Sequence, residues 1–259
     1  MKLTRFTLLR ITLLLGCLAV VAATSAHQRE FTRNWNQSVD VTVFPINADS
    51  SVATDKYISE LTSEDFGIIN RWGEREARRH DLLLSHPFNV TRGDTINTLP
   101  PPFPGDGNSV QILIWGLKLR YWAWRNTPDD GGGLTRVRMF VLYQTGKENT
   151  PLEHSLGLQK GLIGLVHAFS SDRQTEQNNI VIAHELLHTV GALDKYDNQG
   201  HPAQPRGLAY PNQSPLFPQS HAEIMAGRIP RSTRRSEMAA SLQHVVINPY
   251  TATEINWIK

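Results

Sequence analysis

Residues 181–197 read VIAHELLHTVGALDKYD, and the fold turns on how this stretch is read. Its centre, His184-Glu185-Leu186-Leu187-His188, fits the pattern H-E-x-x-H, which arises by chance in roughly one chain of this composition in fifty. An α-helix puts residues four apart on one face, so His184 and His188 can offer two imidazoles to one ion. Residues 179–190 contain neither Gly nor Pro, and Ser171 to Thr175 supplies capping candidates. Ile180, Val181, Ile182, Ala183, Leu186, Leu187 and Val190 surround the helix on nearly all sides, which predicts a buried helix. Two histidines and a glutamate inside it are costly unless paired or bound to metal. Zinc is the ion that suits imidazole nitrogens in tetrahedral geometry with one position left for water. Glu185, beside the first imidazole, is placed to take a proton from that water and pass it to a leaving amine.

The chain past the second histidine extends the pattern. Gly191 comes three residues after His188 and can take the left-handed backbone that ends a helix and turns the chain. That turn lets Asp194 swing back toward the ion. At this point the sequence resembles the metzincin metallopeptidases, whose extended pattern is H-E-x-x-H-x-x-G-x-x-H, with Asp last in a minority such as the snapalysin-like proteases. His184, Glu185, His188, Gly191 and Asp194 match position for position, and Lys195-Tyr196-Asp197 is similar to the D-x-Y-D ending of immune inhibitor A-type peptidases. Such a protein also carries a methionine turn beneath its metal, and residues 221–227, HAEIMAG, are similar to it through Met225 and Gly227. The resemblance covers residues 162–227. It implies a zinc peptidase with His184, His188 and Asp194 on the metal, Glu185 as general base, and a peptide or protein as substrate. Asp197, His201, Glu223 and Glu237 stay open as rivals for the third ligand, and Asp194, Asp197 and Asn198 as lining of a calcium loop. Tyr196 and Tyr210 could each supply a hydroxyl to an oxyanion.

Working outward, residues 39–44 alternate with period two and predict a strand, and residues 62–80 predict an amphipathic helix. Residues 99–107, LPPPFPGDG, form a stiff connection. Residues 109–125 place Val110, Leu113, Ile114, Leu117, Tyr121 and Trp124 at helical spacing, which predicts a helix with that stripe in the core. Strands are expected over 137–143 and 162–169, the second as an edge that aligns an extended peptide. The class expected is α/β or α+β, zincin-like: a mixed sheet backed by helices, with a buried active-site helix and a methionine turn. The expected division is a signal peptide over 1–26, an N-terminal part of the domain or small accessory lobe over 27–100, and the metallopeptidase domain over 101–259. His80, His86, His154 and His244 read as surface or structural residues, and His167 as a candidate neighbour of the cleft. Arg228, Arg231, Arg234 and Arg235 read as a solvated cluster.

The 259 residues, with 40% hydrophobic and 19% charged side chains, suit a globular chain with a full core. The first 26 residues run from basic through apolar to small, the layout of a secretory signal, which predicts a secreted or periplasmic protein. Leu14-Leu15-Gly16-Cys17 offers a lipobox-like alternative with a lipid anchor at Cys17. Cys17 is the only cysteine, so an intramolecular disulfide is excluded. The net charge of +2 falls to about −1 once Lys2, Arg5 and Arg10 are set aside, so net charge gives no argument for nucleic acid as a partner and none for an anionic membrane surface. Two further function classes fit the same motif: a metal-binding or interaction protein that no longer cleaves, which an intact Glu185 argues against, and a zinc amidase acting on cell-wall material.

Overall fold

The computed structural model describes residues 5–105, 107–127, 135–146, 155–158 and 161–258. Its centre is a five-stranded sheet in the order β2-β1-β3-β5-β4. The strands are β1 (Val39–Asn47), β2 (Phe88–Arg92), β3 (Val137–Gln144), β4 (Leu156–Leu158) and β5 (Ile163–Phe169). Four run parallel, and β4 runs antiparallel to β5, pairing Leu156 with Leu165 and Leu158 with Ile163. This is an α/β architecture with a mostly parallel sheet between helices.

A parallel sheet is covered on both faces, so its strands are apolar on both. Along β3, Val137, Met139, Val141 and Tyr143 enter one core and Phe140 and Leu142 the other. The first core is closed by α2 (Val52–Glu60), α3 (Glu64–Arg79) and α5 (Thr175–Thr189), through Tyr57, Phe66, Ile69, Trp72, Ile182 and Leu186 among others. The second is closed by α4 (Ser109–Asn126), which buries Trp115, Leu119 and Ala123 against Phe44, Ile46, Phe140, Ile163 and Leu165. Asn108 opens α4 with a capping box, its side chain accepting from Val110 and Gln111 while Gln111 returns a bond to the Asn108 N–H.

Two expectations need correction. The helix over 109–125 forms, but the stripe Val110, Leu113, Ile114, Leu117, Tyr121 and Trp124 faces outward, and the narrower Trp115–Leu119–Ala123 row is the buried one. The helix is apolar nearly all round, so periodicity offered two stripes and could not rank them. Second, β5 is not the open edge. β4 takes that position beside its first residues, and nothing in the three-residue LGL run announces a strand. The elements α2 and β2 were also not anticipated; both are short.

N-terminal to the sheet, α1 (Arg5–Asn34) is continuous through the expected cleavage position. Its last turn is fixed to the body: Arg33 donates to the Glu254 carbonyl at 2.7 Å and to Asn256 Oδ1 at 2.9 Å. Among the described residues no helix is long and apolar enough to cross a membrane. The Cys17 side chain lies outside the described part. Residues 222–258 hold β6 (Ala222–Glu223), β7 (Arg228–Pro230), β8 (Ser236–Met238), β9 (Val245–Val246) and α6 (Pro249–Glu254), and complete the first core through Ala222, Ile229, Val245 and Ala252 among others, with β8 at the surface.

Candidate metal centre

The site is built on the last two turns of α5, whose Ile182, Ala183, Leu186 and Leu187 are anchored in the first core. That packing turns the remaining stripe, His184 and His188, outward. The helix stops at Thr189, and Gly191, at φ 111°, turns the chain while Gly191 and Ala192 donate to the carbonyls of His188 and Leu187. The turn carries Asp194 back over the helix. Asp194 Oδ1 stands 3.2 Å from His184 Nε2 and 3.1 Å from His188 Nε2, and the two Nε2 atoms are 3.1 Å apart.

The opposite ring nitrogens fix the chemistry of this triangle. His184 Nδ1 faces the Ile224 carbonyl at 3.0 Å and His188 Nδ1 the Ala192 carbonyl at 2.8 Å. A carbonyl only accepts, so each Nδ1 carries a proton, and in the neutral ring each Nε2 then turns a lone pair inward. Two lone pairs and a carboxylate oxygen then converge on one point, an arrangement that calls for a cation. Around zinc, ligands at about 2.0–2.1 Å in tetrahedral geometry stand roughly 3.3–3.4 Å apart, close to the spacing here. Counted with Glu185 instead, the ligand atoms of His184, Glu185 and His188 all lie within 4.8 Å of one another. This His-Glu-His group can hold a metal ion. The tighter triangle, however, is the one with Asp194, and it leaves Glu185 beside the point on which the three converge.

Charge follows the geometry. Burial works against a proton on His184, but Asp194, Glu185 and the Ile224 carbonyl outweigh it and raise its pKa. Asp194 is held well below the usual carboxylate range: burial alone would raise it, and the hydrogen bonds it accepts from His184 and His188 when their Nε2 atoms are protonated win. Glu185 is buried, and burial pushes its pKa up against the pull of His184, His188 and the Gly157 backbone N–H. Its Oε2 has no hydrogen-bond partner. That oxygen lies buried beside the two imidazoles, where it can accept a proton.

Three supports were not read from the sequence. Met225 is fully buried in the turn after β6, where Ala226 and Gly227 both donate to the Glu223 carbonyl. The neighbouring Ile224 carbonyl holds His184, while the Met225 carbonyl accepts from Lys195 N at 2.9 Å; Met225 was anticipated, but not these backbone links. Lys195 is buried, with Nζ 2.6 Å from Glu254 Oε2, and the same oxygen accepts from Leu193 N, which fixes the segment carrying Asp194. Gly157 of β4 lies so close to α5 that a Cβ there would meet the Glu185 carbonyl oxygen and His188 Cβ at 2.5 Å each. No local signal marks Glu254 or Gly157, which join the site only through folding.

The rival ligands lie elsewhere. Asp197 is exposed and accepts from the Gln199 and His201 N–H groups, with His201 Nδ1 3.8 Å away. Glu223 is buried against Met225 N and Thr251 Oγ1, and burial pushes it up to about 7. Glu237 pairs with Arg231 at the surface. Tyr196 stacks on His184, ring centroids 6.5 Å apart, and burial and the Asp194 charge push its hydroxyl up to about 12. Tyr210 bonds His221 Nδ1 at 3.1 Å, outside the triangle. His80 bonds the Ile247 carbonyl, His86 bonds Glu74, and His244 packs beside His221. His167 is half-buried on β5 and outside the metal group; His154 lies outside the described residues.

No protein-family model matches the chain, and no curated protein matches it. Among solved structures, one that is similar is a catalytically inactive OgpA from Akkermansia muciniphila in complex with an O-glycopeptide substrate, glycodrosocin. The TM-score is 0.33 at 11% identity, with 83% of this chain and 58% of the other covered. The chain thus spans about three fifths of that protein's length.

Proposed function

We propose that the chain is an exported zinc-dependent peptidase of the zincin type, with His184, His188 and Asp194 as metal ligands and Glu185 as general base. One observation carries the reading: two imidazoles, each pinned through Nδ1 to a backbone carbonyl, hold their Nε2 atoms 3.1 Å apart and each 3.1–3.2 Å from Asp194 Oδ1, so that all three converge on one point. Export rests on the basic, apolar and small-residue order of residues 1–26.

When bound, zinc supplies Lewis-acid polarisation of a carbonyl and lowers the pKa of a water into the neutral range. The protein's part is proton handling and position. Glu185, its carboxyl raised by burial, takes the proton from the attacking water on Oε2 and returns it to the departing amine. Tyr196, stacked over His184, can donate to the carbonyl oxygen as negative charge develops there. The open edge of β4 offers backbone groups to an extended peptide.

The test is metal analysis of purified protein combined with cleavage of a peptide library. Glu185→Ala is expected to retain zinc and lose hydrolysis by at least about a hundredfold. Hydrolysis at the wild-type rate by a zinc-loaded Glu185→Ala protein would sink the mechanism. Zinc binding by the wild type with no cleavage would instead favour a metal-binding protein.

A further inference from the structure

We propose that the outward face of α4 is a docking surface for anionic membrane. The face consists of Val110, Leu113, Ile114, Leu117, Tyr121 and Trp124, each between 47% and 67% exposed. These positions recur at intervals of three and four, so they form one stripe along a helix of about 27 Å. A contiguous apolar stripe of this size on a soluble surface marks an interaction site.

Three features choose the occupant. On one margin of the stripe stand Lys118 and Arg125, both exposed, and the helix carries no acidic residue. Two aromatic side chains with polar handles, Tyr121 and Trp124, lie together on the face with ring centroids 6.0 Å apart, the residue types that settle at the headgroup level. The inner face is committed to the second core through Trp115, Leu119 and Ala123, so α4 lies on a bilayer and does not enter it. A second copy fits less well in antiparallel pairing, where the basic margins of two face-to-face α4 helices meet, and neither pairing gives Lys118 and Arg125 an acidic partner on α4. Docked this way, α4 holds the membrane on the face of the sheet opposite α5 and its metal group. The inference stands on its own, whatever reaction the site performs.

The test is flotation of the full chain with phosphatidylcholine vesicles, with and without phosphatidylglycerol. Binding is expected to require phosphatidylglycerol and to weaken with added salt. Lys118→Gln with Arg125→Gln is expected to lower partitioning by roughly 30-fold, and Leu117→Ser with Trp124→Ser by at least about tenfold. Trp124 fluorescence, isolated by difference against Trp124→Phe, is expected to be quenched by brominated lipid. The four substituted positions are exposed, so an unchanged melting temperature verifies the fold. Equal binding by both double variants assigns the contact to another surface, such as α1, and overturns the proposal. So does absence of binding, and so does lipid-free dimerisation that Leu117→Ser with Trp124→Ser abolishes.

Discussion

At the residue scale, Asp194 and Glu223 show how position decides what a carboxyl does. Both were candidate ligands. Asp194 is half-exposed, reaches two imidazoles and stays ionised, whereas Glu223 is fully buried two residues before Met225 and tends to hold its proton. Asp194→Ala is therefore expected to reduce zinc stoichiometry well below one, and Asp197→Ala to leave it near one; metal analysis of the two proteins checks this, and the reverse order would move the ligand to Asp197. Glu223 carries a separate prediction. Its folded pKa, about 7, lies above the ordinary 4.5, so between those values the native chain binds a proton that the unfolded chain has released. Stability must then fall as pH rises from 4.5 to 7, by on the order of 1 kcal/mol per pH unit, and level off above. Glu223→Gln keeps an acceptor for Met225 N and removes the titration. Urea melts of the metal-free protein at pH 5 and pH 8 are expected to differ less for Glu223→Gln than for the wild type.

Among elements, α5 was legible because it satisfies several requirements at once: an apolar surround, a run without Gly or Pro, two histidines four apart and a glycine at its end. Its neighbour β4 was not. A three-residue strand has too few positions to show alternation, and its role depends on lying against α5. Gly157 makes that contact possible, and any side chain there must push β4 off the helix or displace Glu185. Gly157→Ala is expected to lower peptide hydrolysis by about a hundredfold, the cost of misplacing a reacting group by about 1 Å, while the protein remains folded. Circular dichroism with a kinetic assay checks both halves. The case of α4 is the inverse: the element was legible and its orientation was not. Its two apolar stripes differ in size, and the smaller is buried because Trp115, Leu119 and Ala123 fit between the side chains of β1, β3 and β5.

For the whole molecule, the metal group joins segments distant in sequence. His184 is held by the Ile224 carbonyl, Asp194 by the irregular segment whose Lys195 N–H bonds the Met225 carbonyl, and that segment by Glu254 of α6. An ion bound there stabilises only the folded chain, by about 2.7 kcal/mol at a hundredfold excess over its dissociation constant. Removing it with a chelator is expected to lower the melting temperature by roughly 5–10 °C, and readdition of zinc to restore it; a melting temperature indifferent to chelation would argue against a metal bound in the native state. The sequence by itself determined what lies within a few residues along the chain: the helix expected around residues 179–190, its paired imidazoles and adjacent carboxylate, the turning glycine, and strands at 39–44, 137–143 and 162–169. Tertiary structure alone decided which apolar stripe of α4 is inside, which strand is the edge, and which carboxylate meets the two histidines. Periodicity and spacing are properties of one segment, whereas burial and convergence depend on what another segment brings to the same place.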